Sequence, residues 1–403
     1  MRHKKIWILI VLCGLFGSRV QEVDAKESLS LHALSAVVME EETGRIVYAK
    51  DAGVQRAMAS TTKIMTLLVA LENADVMERV TVSENAASQP KVHMNMKAGE
   101  SYRLIDLLYA MMLVSYNDTA VAIAEHIGGS VEAFCEMMTQ RAQQIGAMNT
   151  QFRTPNGLDA EGHYSTALDM AWILREVIQN EKAVEIMRTT EYVIEPDEGH
   201  SSRIHLVNKN PMLSSYEGTI CGKTGYTGEA GLCLVNAAQR DGITLITVVL
   251  GAGWPPDSSF RVTDTRKMLQ YGFDNFYMKE YTLDGMDTGN AIAVQDGDQK
   301  CVATQIQGDF RYYVSKEDPV EILYDLPYVI SAPVRAGEVL GTARILIDQK
   351  TAVVLPVISS ENVIKTDVKY YLKQLLYQIG IGGDYGRDEA SEIHGTGGRG
   401  IAP

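Results

Sequence analysis

Residues 56–72, "RAMASTTKIMTLLVALE", decide the fold. The run after Lys63 is apolar on nearly every side, which is typical of a helix buried inside a domain. Ser60 precedes Lys63 by three residues, so both lie on one helical face and the amine can reach the hydroxyl. Burial would lower the pKa of that amine far enough for it to act as a base. A capping serine beside a surface lysine is the alternative, because such pairs often arise by chance.

A second motif lies where two apolar helices are predicted to meet. In "LVSYNDTA", residues 113–120, Ser115 and Asn117 are separated by one residue. A hydroxyl there can relay a proton, and a carboxamide can donate to and accept from a peptide. An ordinary helix junction is the alternative, since serine and asparagine are common helix caps.

A third motif, "CGKTGYTGEAG" at residues 221–231, is predicted to form the edge of a sheet. A strand edge can pair with an extended peptide backbone, and Gly225 would let that backbone approach closely. Lys223 and Thr224 could hold a carboxylate. A glycine-rich hairpin strand without a ligand is the alternative interpretation.

The rest of the chain indicates an α+β catalytic region followed by a β-rich one. Residues 33–50 alternate apolar and polar around a glycine turn and predict a hairpin, and residues 219–252 predict three successive strands. Helical patterns cover residues 104–115, 119–146, 167–179 and 262–277. Residues 281–363 consist of short strands and turns, which predicts a second, all-β domain.

The two ends of the chain have their own character. Residues 1–25 combine a basic start with the short apolar run "IWILIVLCGLF", which predicts a cleaved signal peptide and export. A membrane span needs about 20 apolar residues, more than this run supplies. Residues 364–380 predict a basic amphipathic helix that either lies on an anionic membrane or packs on its own domain. Residues 381–403 are glycine-rich and charged, which predicts disorder.

Composition narrows the function further. The 403-residue chain has a formal net charge of -14, which disfavours nucleic-acid binding because phosphates would be repelled. No Cys/His cluster has the spacing of a zinc site. Beyond the leader the cysteines are too few for a disulfide scaffold, although Cys221 and Cys233 could lie close together as a disulfide or as two free thiols.

The three motifs, in this order, resemble those of low-molecular-mass penicillin-binding proteins, the serine-type D-alanyl-D-alanine carboxypeptidases. The resemblance spans residues 35–363 and includes "NGLDAEGHYSTALDMA" and "APVRAGEVLGTARILI". It implies a fold of the α/β (α+β) class, the penicillin-binding-protein and serine β-lactamase-like transpeptidase fold. An antiparallel sheet flanked by helices would lie beside an all-helical lobe, with a C-terminal all-β domain. The implied limits are 26–278 for the catalytic domain and 279–363 for the β-rich domain.

The resemblance also implies chemical roles for the first two motifs and for Lys223. Ser60 would attack the D-Ala-D-Ala carbonyl of a peptidoglycan stem peptide, and Lys63 would take its proton. Ser115 and Lys223 would relay that proton to the leaving D-alanine, and Asn117 would hold the substrate amide. β-Lactams would acylate the same serine, and no metal or cofactor is implied.

Substrate binding would involve the third motif and two basic residues. The backbone N–H groups of Ser60 and Tyr226 would form the oxyanion hole, so the tyrosine found where some relatives have histidine leaves that role intact. Thr224, helped by Arg261, would bind the terminal carboxylate. Lys209 matches another basic position of the family.

Two other functions share these motifs. A class A β-lactamase also needs a glutamate that activates the deacylating water, but Glu161 is isolated in the interval where it would lie. A non-catalytic penicillin-binding sensor would keep the fold but would have no use for the proton-relay groups. Both are therefore less favoured than the carboxypeptidase.

Overall fold

The computed structural model describes residues 29–379. The predicted signal peptide and C-terminal tail lie outside these residues. The described chain divides into two compact units, one ending at Phe276 and one beginning at Tyr277, which we call the N-terminal and C-terminal units.

The strands of the N-terminal unit form one large sheet and two small two-stranded sheets. In chain order they are β1 Ser35–Glu40, β2 Ile46–Lys50, β3 Arg79–Thr81, β4 Ser101–Arg103, β5 Glu191–Ile194, β6 Ile204–Val207, β7 Thr219–Thr227, β8 Gly231–Arg240 and β9 Ile243–Leu250. The large sheet is antiparallel, has the order β2-β1-β9-β8-β7, and leaves β7 at its edge. The small sheets are β3-β4 and β5-β6. The hairpin and the three successive strands predicted from the sequence are present.

Helices surround this sheet. They are α1 Lys63–Asn73, α2 Glu84–Ala87, α3 Leu104–Val114, α4 Asn117–Gly128, α5 Val131–Ile145, α6 Ala167–Ile178, α7 Glu181–Arg188, α8 Met212–Ser215 and α9 Phe260–Asn275.

Strand β1 shows why both faces of the sheet carry helices. All six of its residues are buried, and successive side chains of a strand point to opposite faces. Val37 and Met39 belong to the apolar core shared with α1 and α3, whereas Val38 lies against Gly272 of α9. Helix α1 crosses this core and is buried from Lys63 to Ala70, as its apolar sequence predicts. The predicted α+β fold is thus confirmed.

The C-terminal unit is β-rich, also as predicted. Its first strand, β10 Phe276–Tyr281, begins at the last residue of the N-terminal unit. The others are β11 Asp287–Gln295, β12 Cys301–Ile306, β13 Phe310–Ser315, β14 Val320–Asp325, β15 Val329–Ser331, β16 Val339–Ile347 and β17 Lys350–Ser359. Six of them form a sheet in the order β14-β16-β17-β12-β11-β15, and β10 pairs with β13.

A helix, α10, runs from Val368 to Gln378 and begins later than residue 364, the predicted start. The residues before this helix are extended, because Lys365 forms an isolated antiparallel β-bridge with Gly297 and the Thr366 N–H donates to the Asp296 carbonyl. No helix within residues 29–379 combines the length and the apolar character needed to cross a membrane.

Candidate active site

Ser60 lies in a 3₁₀ turn, Ala59–Thr62, that runs directly into α1. Lys63 is the first residue of α1 and is completely buried. The structure brings the two side chains together, with Lys63 Nζ 3.1 Å from Ser60 Oγ. The lysine is therefore not the surface amine of the alternative interpretation.

The hydrogen bonds of Lys63 fit a neutral amine. Its Nζ also lies 3.0 Å from Asn117 Oδ1 and 2.5 Å from the Asn156 carbonyl oxygen. Both of these are pure acceptors and can take the two N–H bonds of a neutral amine. In that state the lone pair is left for the Ser60 hydroxyl, whereas an ammonium would donate its third N–H to Ser60 Oγ.

Electrostatics favour the same protonation state. Burial lowers the pKa of Lys63 well below its ordinary value, because the charged form loses its hydration. The positive charge of Lys223 lowers this pKa further, and the buried Asp118 partly opposes both effects. Both effects favour the neutral form of Lys63, which can accept a proton.

The contribution of Asn156 was not predicted from the sequence. Its backbone carbonyl accepts from Lys63, and residue 157 packs against the turn that carries Ser60. Gly157 has a φ of 84°, and a Cβ there would lie 2.0 Å from the Ala59 carbonyl oxygen. The Asn-Gly pair signals a turn in the sequence, but a backbone carbonyl has no residue-type signature that marks it as a ligand.

Ser115 and Asn117 lie on either side of the junction between α3 and α4. Ser115 caps α3 in the left-handed conformation, with a φ of 71°. Its Oγ is buried and has no hydrogen-bond partner among residues 29–379. Asn117 starts α4, and its Nδ2 donates to the Pro90 carbonyl while Oδ1 faces Lys63. The Ser115 hydroxyl is thus committed to no other group within residues 29–379.

The third motif lies on the edge strand β7. Lys223 is buried, and this burial together with the charge of Arg261 lowers its pKa to about 7. Its Nζ donates to the Thr224 carbonyl, while the Tyr226 side chain is exposed. A Cβ on Gly225 would lie 3.1 Å from the Ser60 nitrogen, so glycine allows β7 to approach the turn.

The two other predicted basic residues lie in different settings. Arg261 of α9 donates from Nη1 to the Gly225 carbonyl at 3.1 Å, and its buried Nε has no partner within residues 29–379. Burial lowers the pKa of this guanidinium. Lys209 has an exposed side chain, and its backbone N–H donates to the Leu113 carbonyl near the end of α3. Arg261 is therefore tied to the third motif, whereas Lys209 is placed only near the second.

Cys221 and Cys233 are free buried thiols, so the disulfide left open by the sequence does not form. In the β7–β8 register Cys233 faces Gly225 and Cys221 faces Ala237. Among residues 29–379, no group of three or more His, Cys, Asp or Glu side chains could hold a metal ion.

A family profile described as D-alanyl-D-alanine carboxypeptidase matches residues 21–253. The chain belongs to this family. A second profile, for the C-terminal domain of penicillin-binding protein 5, matches residues 279–365. The resemblance inferred from the three motifs is thus confirmed, and the chain is a serine-type D-alanyl-D-alanine carboxypeptidase.

Three named relatives match from 61% to 91% of this chain. The D-alanyl-D-alanine carboxypeptidase DacF of Bacillus subtilis is 33% identical over 91% of this chain and 95% of its own. The solved structure of penicillin-binding protein 5 from Haemophilus influenzae is 28% identical, covers 84% of this chain and 99% of its own, and has a TM-score of 0.68. A mutant of the Streptomyces K15 DD-transpeptidase covers 61% of this chain and 99% of its own, at 31% identity and with a TM-score of 0.58.

Proposed function

We propose that Ser60 is the nucleophile and Lys63 the general base of this carboxypeptidase, acting on peptidoglycan stem peptides that end in D-Ala-D-Ala. The observation that carries this proposal is the contact of 3.1 Å between a buried amine and the Ser60 hydroxyl. A serine needs an adjacent base to become nucleophilic, and a lysine needs burial to become that base.

The reaction has two halves. Lys63 takes the Oγ proton as Ser60 attacks the penultimate carbonyl, and the tetrahedral intermediate collapses when the C–N bond to the last D-alanine breaks. The leaving amine receives the proton through Ser115 and Lys223. Water then attacks the ester with base assistance, which releases the shortened peptide and restores the serine hydroxyl.

Binding relies on the open edge of β7. An extended stem peptide pairs with this edge, Asn117 holds its amide, and the N–H groups of Ser60 and Tyr226 stabilise the oxyanion. Thr224 and Arg261 bind the terminal carboxylate, with Lys209 as a further basic residue near the site. β-Lactams enter as mimics of the same peptide and acylate Ser60.

The decisive experiment compares wild type with Ser60→Ala in two assays, labelling by a fluorescent penicillin and release of D-alanine from diacetyl-Lys-D-Ala-D-Ala. We expect wild type to be labelled and to release D-alanine, and the variant to do neither. Absence of both activities in folded wild type would refute the proposal. Labelling with rapid penicillin turnover would indicate a β-lactamase, and stable labelling without D-alanine release would indicate a sensor.

We further propose that residues 1–25 direct export and are removed, and that residues 26–278 and 279–363 are the catalytic and β-rich domains. The enzyme would then act outside the cytoplasmic membrane, where its substrate lies. Finding the full-length protein uncleaved in the cytoplasm would contradict this assignment.

We also propose that α10 binds the membrane surface. Its apolar stripe is exposed, and Val368 shows 83% of its surface; the other members are Tyr371, Leu372 and Leu375, and the exposed Ile379 directly follows the helix. Lys369 and Lys373 belong to the same helix and favour anionic lipid. Removal of residues 364–403 is expected to abolish binding to anionic vesicles, and binding that persists without them would refute this role.

A further inference from the structure

The turn between β7 and β8, residues 227–231, is held to the loop at residues 153–163 by one side-chain hydrogen bond. Thr227 Oγ1 donates to Asp159 Oδ1 over 2.7 Å and accepts from the Ala230 N–H. Asp159 is exposed and lies 68 positions away in sequence. A contact so distant in sequence connects two parts of the site that no local structure joins.

The two ends of this connection reach different parts of the proposed oxyanion hole. Toward one end, Asp159 is three residues from Asn156, whose carbonyl binds Lys63, and two from Gly157, which packs against the Ser60 turn. At the other end, Thr227 directly follows Tyr226. The loop at 153–163 therefore contacts both the element that carries the Ser60 N–H and the strand that carries the Tyr226 N–H.

Two other contacts hold the β7–β8 turn, but neither resists its separation from the Ser60 turn. Trp254 Nε1 donates to the Gly228 carbonyl at 2.9 Å, which holds the turn toward the loop after β9. Gly225 packs close to the Ser60 turn, and this packing sets the smallest separation between strand and turn. Van der Waals contact resists approach but offers little resistance to separation, whereas the bond between Thr227 and Asp159 resists separation.

We propose that Asp159 is a positioning residue, which through Thr227 holds the Tyr226 N–H at the distance from the Ser60 N–H that the oxyanion requires. This inference rests on the proposed roles of Ser60 and Tyr226. Donors of an oxyanion hole act only when they are fixed before charge develops, and small displacements reduce the rate. A hydroxyl-to-carboxylate bond is charge-assisted and therefore stronger than a neutral one.

The test uses two pairs of variants. Thr227→Val and Asp159→Ala remove the bond, whereas Thr227→Ser and Asp159→Asn retain a donor and an acceptor at the same places. Thr189→Val is the matched control, because it removes a threonine hydroxyl that donates to the Glu185 carbonyl at the C-terminal end of α7. Stopped-flow acylation by a chromogenic β-lactam gives the acylation rate, the deacylation rate and the burst amplitude, and thermal unfolding gives Tm.

We expect Thr227→Val and Asp159→Ala to lower both rates by about tenfold, since the oxyanion hole serves both steps. The burst amplitude and Tm should stay at the wild-type values, and the two conservative variants should recover most of the loss. A purely structural bond would instead lower Tm or the burst amplitude and leave the rates of the remaining active enzyme unchanged. That outcome, or unchanged rates in all variants, would overturn the inference.

Failure of this inference is distinguishable from failure of the proposed function. If wild type is not acylated at Ser60, the roles of Ser60 and Tyr226 fail, and the positioning role fails with them. If wild type is acylated normally and Thr227→Val matches it, only the positioning role fails.

Discussion

Replacing Asn117 with aspartate tests whether Lys63 acts as a neutral base. Asn117 Oδ1 lies 3.0 Å from Lys63 Nζ, so Asn117→Asp places a carboxylate at that distance from the amine. An opposite charge favours the protonated lysine and raises its pKa. At an effective dielectric constant of about 20, Coulomb's law gives about 5.5 kcal/mol, or about four pKa units, at this separation. Desolvation of the new carboxylate opposes this, which leaves a net rise of roughly one to three units.

The assay is the pH dependence of acylation by a chromogenic β-lactam, measured by stopped flow. Acylation increases as Lys63 loses its proton, so the acid limb of the profile should move up by roughly one to three pH units in Asn117→Asp. Asp118→Asn supplies the opposite change. Asp118 raises the pKa of Lys63, so removal of its charge should move the acid limb to lower pH.

One result would refute the reasoning. Asn117 is also proposed to hold the substrate amide, and loss of that contact would lower the rate by the same factor at every pH. A profile that is lower but not displaced in Asn117→Asp, together with no displacement in Asp118→Asn, would show that protonation of Lys63 does not limit acylation.

Three further predictions concern the surroundings of the site. Burial lowers the pKa of His163 to about 4 in the folded state, whereas the unfolded state has a pKa near 6.5 and binds more protons between these two values. The contribution of His163 to the free energy of unfolding is therefore fully present above pH 6.5 and should fall by about 3 kcal/mol as the pH drops to 4. Urea unfolding should show a smaller loss in His163→Gln. Gly157→Ala should abolish acylation, because its Cβ would strike the Ala59 carbonyl. Gly162→Ala is also at positive φ, but its Cβ would lie 3.2 Å from the nearest atom, so it should cost only about 1 kcal/mol of stability. Equal losses of activity in the two variants would contradict this. In protein lacking residues 1–25, a thiol reagent should modify the exposed Cys301 and spare Cys135, Cys221 and Cys233 until denaturant is added, because burial raises the pKa of those thiols to about 11 or 12; reaction of a second native thiol would contradict this.

The parts of the site that the sequence predicts are those with local signatures. The pairing of Ser60 with Lys63 follows from a spacing of three, which the 3₁₀ turn running into α1 preserves, and the burial of Lys63 follows from the apolar run after it. Strand β7 and its partner β8 follow from alternation and glycine turns. These features depend on residue type and on the spacing of nearby residues, and both can be read from the sequence.

The parts that it does not predict depend on backbone groups or on distant contacts. The Asn156 carbonyl accepts from Lys63 across 93 positions, and a carbonyl is present in every residue. The sequence likewise gives no sign that Arg261 donates to the Gly225 carbonyl. Helix α10 starts late because Lys365 pairs with Gly297 and Thr366 donates to the Asp296 carbonyl. The helical pattern of residues 364–380 does not indicate these contacts.

The position of β7 at the edge of its sheet has a consequence for the solubility of the protein. Its strand pairing within residues 29–379 is with β8. The Thr224 carbonyl accepts from Lys223 and the Gly225 carbonyl from Arg261, so only the remaining groups of the edge are open to an extended chain. Proteins usually protect such an edge with proline, a bulge or a covering segment. Here the register shift lies between Thr219 and Cys221, before Lys223, and the stretch from Cys221 to Thr227 stays regular. With substrate bound along β7 as proposed, strand addition by another chain would compete for the same edge groups, so a bound peptide should slow self-association.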